Sequence, residues 1–145
     1  MEKVKFAEKK NRSNEDDVFT VRAVIQLGDR LLLHSFLEQY GTYITLGGHV
    51  HKGEALWDAL KRELKEEGGI TLKGEPRDAD FIFLNNHYYV ISPKEIEMGG
   101  TRTHTDGGKL ALVSREDMLK ANEMSAGVPI IHADNEALDR LLKHN

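Results

Sequence analysis

A layered α/β (α+β) domain built on a mixed sheet is the fold class predicted for this chain, and three patterns predict it. Apolar, β-branched runs separated by turn signals recur, as in Val18–Leu27 and Arg30–Leu37 around Gly28-Asp29. One segment, Glu54–Glu67, switches to helical spacing, with Leu56, Leu60 and Leu64 four residues apart. Strand patterns resume beyond it and helical ones follow, the mixture that a layered domain requires.

Residues 1–17 are polar, with only Val4, Phe6 and Ala7 to bury, and read as a loosely attached segment, the alternative being an edge strand or a dimer contact. Residues 18–145 read as one domain. Val18–Leu27 and Arg30–Leu37 form a hairpin, and Tyr43–Leu46 is a short strand running into Gly47-Gly48. The helix over Glu54–Glu67 ends at Gly68-Gly69, and Ile70–Leu72 starts another strand. Asp80–Leu84 and His87–Ile91 form a second hairpin turning at Asn85-Asn86. Ser92–Gly108, with two Gly pairs, reads mostly as a loop, and a loop of that length is usually functional or disordered. Leu110–Val113 is a strand, Ser114 to Asp117 resembles a capping box opening a short helix to about Asn122, and Asp134 caps a last helix over Asn135–Lys143.

With 145 residues the chain can bury a real core, and 39% hydrophobic with 30% charged residues suits a globular protein. The balance of 20 basic against 24 acidic residues, net −4, argues against a nucleic-acid polymer or an anionic membrane as partner. The absence of cysteine excludes disulfides, thiolate metal sites and cysteine nucleophiles. The N-terminus lacks the apolar core of a signal peptide, and no run approaches the ~20 apolar residues of a membrane helix, so a cytoplasmic setting is expected.

Electrostatics single out Gly48–Ile70. Glu63 shares a helix face with Glu66 and Glu67, with Glu54 farther off, and like charges at that spacing repel by a few tenths of a kcal/mol per pair. These acids also crowd the helix's last turn, where the macrodipole is already negative. A hard divalent ion such as Mg²⁺, bound to the carboxylate oxygens, reverses both penalties. An exposed, solvated helix face is the ordinary reading of an isolated Glu pair.

As a pattern the stretch is G-x5-E-x7-R-E-L-x-E-E-x-G-I, filled by Gly48, Glu54, Arg62, Glu63, Leu64, Glu66, Glu67, Gly69 and Ile70. This resembles the signature box of the Nudix hydrolases, with every specified position matched, and the strand order around it is similar too. The resemblance implies a MutT-like single domain, an α/β/α sandwich with a mixed central sheet. It implies metal-dependent hydrolysis of a nucleoside diphosphate linked to another moiety, of the (d)NTP or nucleotide-sugar type, with Mg²⁺ or Mn²⁺ as cofactor. The alternative is a non-catalytic Nudix-fold nucleotide-binding or regulatory module, although such modules usually lose box glutamates and this chain keeps them. Isomerisation on the same fold would need a cysteine, which is lacking.

Glu63 and Glu67, one turn apart, are the expected principal metal ligands, with Glu66 as a further ligand or bridge and the Gly47 backbone carbonyl as another expected ligand. The resemblance gives Arg62 the task of orienting the glutamates by ion pairing, with Glu54 as its partner, a rigid support of the kind metal sites need. The general base stays open between Glu66 or Glu63 and the later loop, where Glu95, Glu97, His104 and Asp106 are candidates. His49 and His51 border substrate phosphates or solvent rather than bind metal, and His49, His104 and Asp106 are the candidate substrate contacts. Trp57 is expected to pack the helix, with stacking on a base as the alternative. Phe36, Tyr40 and Tyr43 offer an aromatic for a nucleobase, with core or rim packing as the plainer role. Thr45-Leu46 departs from the Leu-Pro common before the double glycine, leaving the loop entry less restricted. The resemblance implies a nucleotide-type small molecule as partner, and the N-terminal segment and last helix each offer a surface for a homodimer.

Overall fold

The computed structural model describes residues 8–11, 20–36, 42–84, 86–99, 109–114 and 116–117. Among the elements given by the described residues, three strands come first: β1 (Thr20–Leu27), β2 (Arg30–Phe36) and β3 (Thr42–His49). The helix α1 (Leu56–Gly68) is followed by β4 (Ile70–Leu72), β5 (Phe81–Leu84), β6 (Asn86–Ile91), β7 (Ile96–Met98) and β8 (Lys109–Ser114). Six of these strands form one sheet in the order β5-β6-β1-β3-β2-β8, while β4 and β7 pair separately. The sheet is mixed because β1 runs parallel to β6 and antiparallel to β3 and β2. The α+β class and mixed sheet expected from the sequence are therefore present.

Strand alternation sorts the side chains into two layers. Val21, Ala23 and Ile25 of β1, Leu32, Leu46, Tyr89 and Ile91 join Leu56, Ala59, Leu60 and Leu64 of α1 in the larger core. Val24, Leu31, Leu33, Tyr88 and Val113 form a second cluster on the opposite face. The three leucines of α1 are fully buried, worth about 1.5–3 kcal/mol each, which fixes the helix against the sheet. Trp57 packs as expected, its ring meeting Tyr89 edge-on at 5.2 Å between centroids. Tyr43 lies against the second cluster, in keeping with its packing role. No helix among the described residues is long and apolar enough to cross a membrane.

Three expectations are corrected. The helix starts at Leu56 rather than Glu54, because Ala55 stays extended and bridges Lys10. Residues 96–98, assigned to a loop, form β7 and pair in antiparallel register with β4, Ile70 facing Met98 and Leu72 facing Ile96. Residues 8–11, expected to be loosely attached, are hydrogen-bonded to the segment before α1. At the far end of the domain, Asp117 donates its N–H to Ser114 Oγ at 3.1 Å, the capping contact expected there. Tyr40, His104, Asp106, most of the short helix after Ser114 and the helix expected over 135–143 lie outside the described residues, as does the side chain of Phe36.

Candidate active site

The site forms where β3 passes the C-terminal half of α1, and two glycines make that approach feasible. Gly47 and Gly48 pair with Arg22 and Val21 of β1. Gly47 has φ 146°, and a Cβ there would run into the Val21 carbonyl and approach Arg22 Cα to 2.7 Å. A Cβ on Gly48 would lie 2.5 Å from Glu63 Oε1, so a larger residue there would have to turn the helix carboxylate aside from its place on the strand backbone. At the helix end Gly69 turns left-handed, φ 63°, and its N–H closes onto the carbonyls of Leu64 and Lys65. The glycine stop read from the sequence is thus the cap that leaves Glu66 and Glu67 in the final turn.

Arg62 is the centre of the cluster. Its Nε and Nη2 donate to Oε2 and Oε1 of Glu54, each at 2.9 Å, the paired geometry in which guanidinium–carboxylate bonds are strongest. Nη1 donates to Glu63 Oε1 at 3.0 Å and more loosely to Glu66 Oε2 at 3.4 Å, and Nη2 also donates to the His49 carbonyl at 3.0 Å. Glu54 in turn accepts the His51 N–H at 2.9 Å. The expected Arg62–Glu54 pair is present, and Arg62 reaches Glu63 and Glu66 as well.

These contacts set the charges. Hydrogen bonding to Glu54, outweighing burial, raises the Arg62 pKa above its ordinary value. Burial pushes Glu54 up, but hydrogen bonds from Arg62 and the His51 N–H, with the nearby positive charge, outweigh it and hold the carboxyl below the usual range. Glu63 goes the other way: burial first, then the adjacent Glu67 charge, push it up despite Arg62.

Glu67 is held differently, by the sheet. Its Oε1 accepts the Gly47 N–H at 2.8 Å, and its Oε2 lies 3.3 Å from His34 Nδ1. A carboxylate can only accept, so Nδ1 carries the proton. His34, on β2 and only 4% exposed, was not singled out from the sequence. The available signal was its position two residues after the core residue Leu32, a polar side chain where strand alternation demands an apolar one.

Gly47, Gly48, His49, His51, Arg62, Glu63, Glu66 and Glu67 line one pocket of about 360 Å³. The box residues foreseen from the sequence thus come together, with Glu54 behind them. Glu95 and Glu97 do not join them. Glu95 accepts from Ser92 Oγ at 3.2 Å, pairs with Arg77 at 3.3 Å and lines a different pocket, while Glu97 is exposed on β7 opposite Thr71.

Among the described residues no three acidic or imidazole groups converge on one point. Glu63 and Glu66 turn to Arg62, and Glu67 turns to Gly47 and His34. In chemistry the donors still fit a hard divalent ion: they are carboxylate oxygens, and the raised Glu63 pKa marks a buried anion short of positive charge.

The sequence matches the model of the Nudix domain over residues 17–132. No curated protein matches it. Among solved structures, a Nudix hydrolase from Nitrosomonas europaea is similar at 19% identity and TM-score 0.54, over 83% of this chain and 88% of that one. A mutator MutT protein from Bacillus halodurans is similar at 22% identity and TM-score 0.52, over 70% of this chain and 71% of its own. A bifunctional NMN adenylyltransferase/ADP ribose pyrophosphatase from Francisella tularensis gives 18% identity and TM-score 0.56, over 86% of this chain and 41% of that one. These similarities establish a shared fold. With the complete box pattern folded around a single arginine and the family model spanning most of the sequence, the chain belongs to the Nudix domain family.

Proposed function

We propose that this chain is a metal-dependent hydrolase cleaving a phosphoanhydride bond in a nucleoside diphosphate linked to another moiety. The observation that carries this reading is that Glu63, Glu66 and Glu67 of the box line one pocket beside Arg62. Glu63, Glu66 and Glu67, with the Gly47 carbonyl, would hold Mg²⁺ or Mn²⁺. When bound, such an ion neutralises phosphate oxygens and lowers the pKa of a coordinated water.

The chain's own residues do the rest. Arg62, clamped by Glu54, fixes the direction of the helix carboxylates, and Gly48 lets Glu63 sit against the strand. Glu66, its side chain 49% exposed, or the more buried Glu63 takes the proton of the attacking water. If Glu63→Gln and Glu66→Gln both kept near-normal turnover while still binding Mg²⁺, the base would have to be elsewhere. His49 and His51, at the pocket wall, border the phosphates.

The names of the similar structures include a MutT protein and an ADP ribose pyrophosphatase, which supports (d)NTPs and nucleotide sugars as the two substrate types to test. The deciding experiment is phosphate or nucleoside monophosphate release from a panel of both types with Mg²⁺, Mn²⁺ or chelator. Release that requires metal is expected. No release from any member would point to a binding module instead.

A further inference from the structure

The box explains Arg62 and its acids, but not what holds the loop that presents Glu54. That loop, Val50–Ala55, leaves β3 and enters α1, and the box specifies only its final glutamate. Its backbone is met by a segment more than forty residues earlier. The Asn11 N–H donates to the Glu54 carbonyl at 3.0 Å, and the Asn11 carbonyl accepts the Gly53 N–H at 2.6 Å. One residue pair on, Lys10 bridges Ala55, and the Leu56 N–H donates to the Lys9 carbonyl at 2.8 Å. The Asn11 side chain adds a fourth bond, from Nδ2 to the Val50 carbonyl at 2.9 Å. Asn11 and Val50 are both 0% exposed.

We infer that Asn11 is a positioning residue for the metal site, bracing the Val50–Ala55 loop so that Glu54 holds Arg62 against Glu63. This rests on the reading of the box acids as ligands of a divalent ion. The physical reasoning follows the chain of contacts. Asn11 ties both ends of the loop, Val50 by its side chain and Gly53 and Glu54 by its backbone. Glu54 then grips Arg62 through two bonds of 2.9 Å, and Arg62 directs Glu63 at 3.0 Å. A buried amide left without its acceptor costs about 1–3 kcal/mol, so the loop cannot drift without a penalty at Asn11. The outer end of the segment is fastened too, since Lys9 Nζ donates to His87 Nε2 at 3.1 Å. The brace enters from outside residues 17–132, the stretch that matches the family model, so the domain pattern does not specify it.

The test is Mn²⁺ binding, read from the free-ion electron paramagnetic resonance signal, for the parent chain and for Asn11→Ala and Asn11→Asp. In Asn11→Asp a carboxylate oxygen faces the Val50 carbonyl and repels it. Affinity in both variants should fall at least about 10-fold, as for other groups that orient metal ligands. Amide exchange should quicken at Gly53 and Leu56 while Leu60 and Leu64 stay protected, separating a loosened loop from a loosened helix. No Mn²⁺ binding by the parent protein would overturn the metal-site reading itself. Parent binding that persists within twofold in Asn11→Ala would overturn the brace alone. If that variant does not fold, the parent decides: a Gly53 amide exchanging as fast as an open loop overturns the proposal, and a protected one upholds it.

Discussion

Two arginines organise acids in this molecule, and their surroundings make them opposites. Arg62 meets Glu54, Glu63 and Glu66 with a side chain only 23% exposed, and one of its donors is tied to the His49 backbone. Arg77 meets Asp80 at 2.6 Å and Glu95 at 3.3 Å, but its side chain is 63% exposed. Distances alone would rank the two clusters together. Water decides otherwise: an exposed pair is screened and replaceable, whereas a half-buried one leaves stranded charge when a partner is lost. Burial first, then the neighbouring Glu67 charge, also leave Glu63 with a raised pKa despite Arg62, an imbalance that an added cation would correct.

The strongest test of that contrast removes each arginine. Arg62→Ala should lower metal-dependent turnover by about 100-fold or more, because Glu54 and Glu63 are left without the group that orients them. Arg62→Lys keeps the charge but loses the two-bond grip on Glu54, and about a 10-fold loss is expected in the same assay.

Glu63→Gln sharpens the comparison from the acid's side. Burial and the neighbouring Glu67 make the ionised form unfavourable in the folded chain, so the neutral isostere should melt higher than the parent without metal. The same variant should lose most of the Mg²⁺-induced rise in Tm, since a ligand that binds only the folded state stabilises it in proportion to its affinity. Calorimetry with and without Mg²⁺ checks both halves, and a lower metal-free Tm would refute the first.

A further acid sensitivity lies away from both arginines. His87 is pulled down to about 4 by burial and by the Lys9 ammonium, while its contact with the Thr20 carbonyl opposes this weakly. The folded state therefore refuses a proton that the unfolded state accepts. Stability should be complete above about pH 6.5 and fall as pH drops toward 4, by on the order of 2–3 kcal/mol. Denaturant midpoints across that range, flattened in His87→Gln, would show it. The smallest effect belongs to Arg77→Ala, for which turnover within twofold of the parent is expected.

Much of this was legible in the residues. The spacing of Glu63, Glu66 and Glu67 before Gly68-Gly69 located the acid-rich turn that lines the pocket, and the leucine spacing located its buried side. Arg62 with Glu54 was foreseen only through the resemblance to the Nudix box, and the structure supplies the two bonds between them. What escaped depended on partners remote in sequence. Ile96–Met98 has too few apolar residues to read as a strand, and becomes one only because β4 lies alongside. His34 and Asn11 are single polar residues whose roles are set by Glu67 and Val50, more than thirty positions away. A pattern read locally has no access to such pairings.

The pocket around Arg62 has one more consequence. With every carboxyl ionised, Glu54, Glu63, Glu66 and Glu67 against Arg62 leave a formal charge of −3 around the mouth of the site. Such a field draws small cations in and turns bare polyanions away, an effect that fades as salt shortens the screening length. For the proposed reaction this would set an order of arrival, with the cation binding first or accompanying phosphates it has already neutralised.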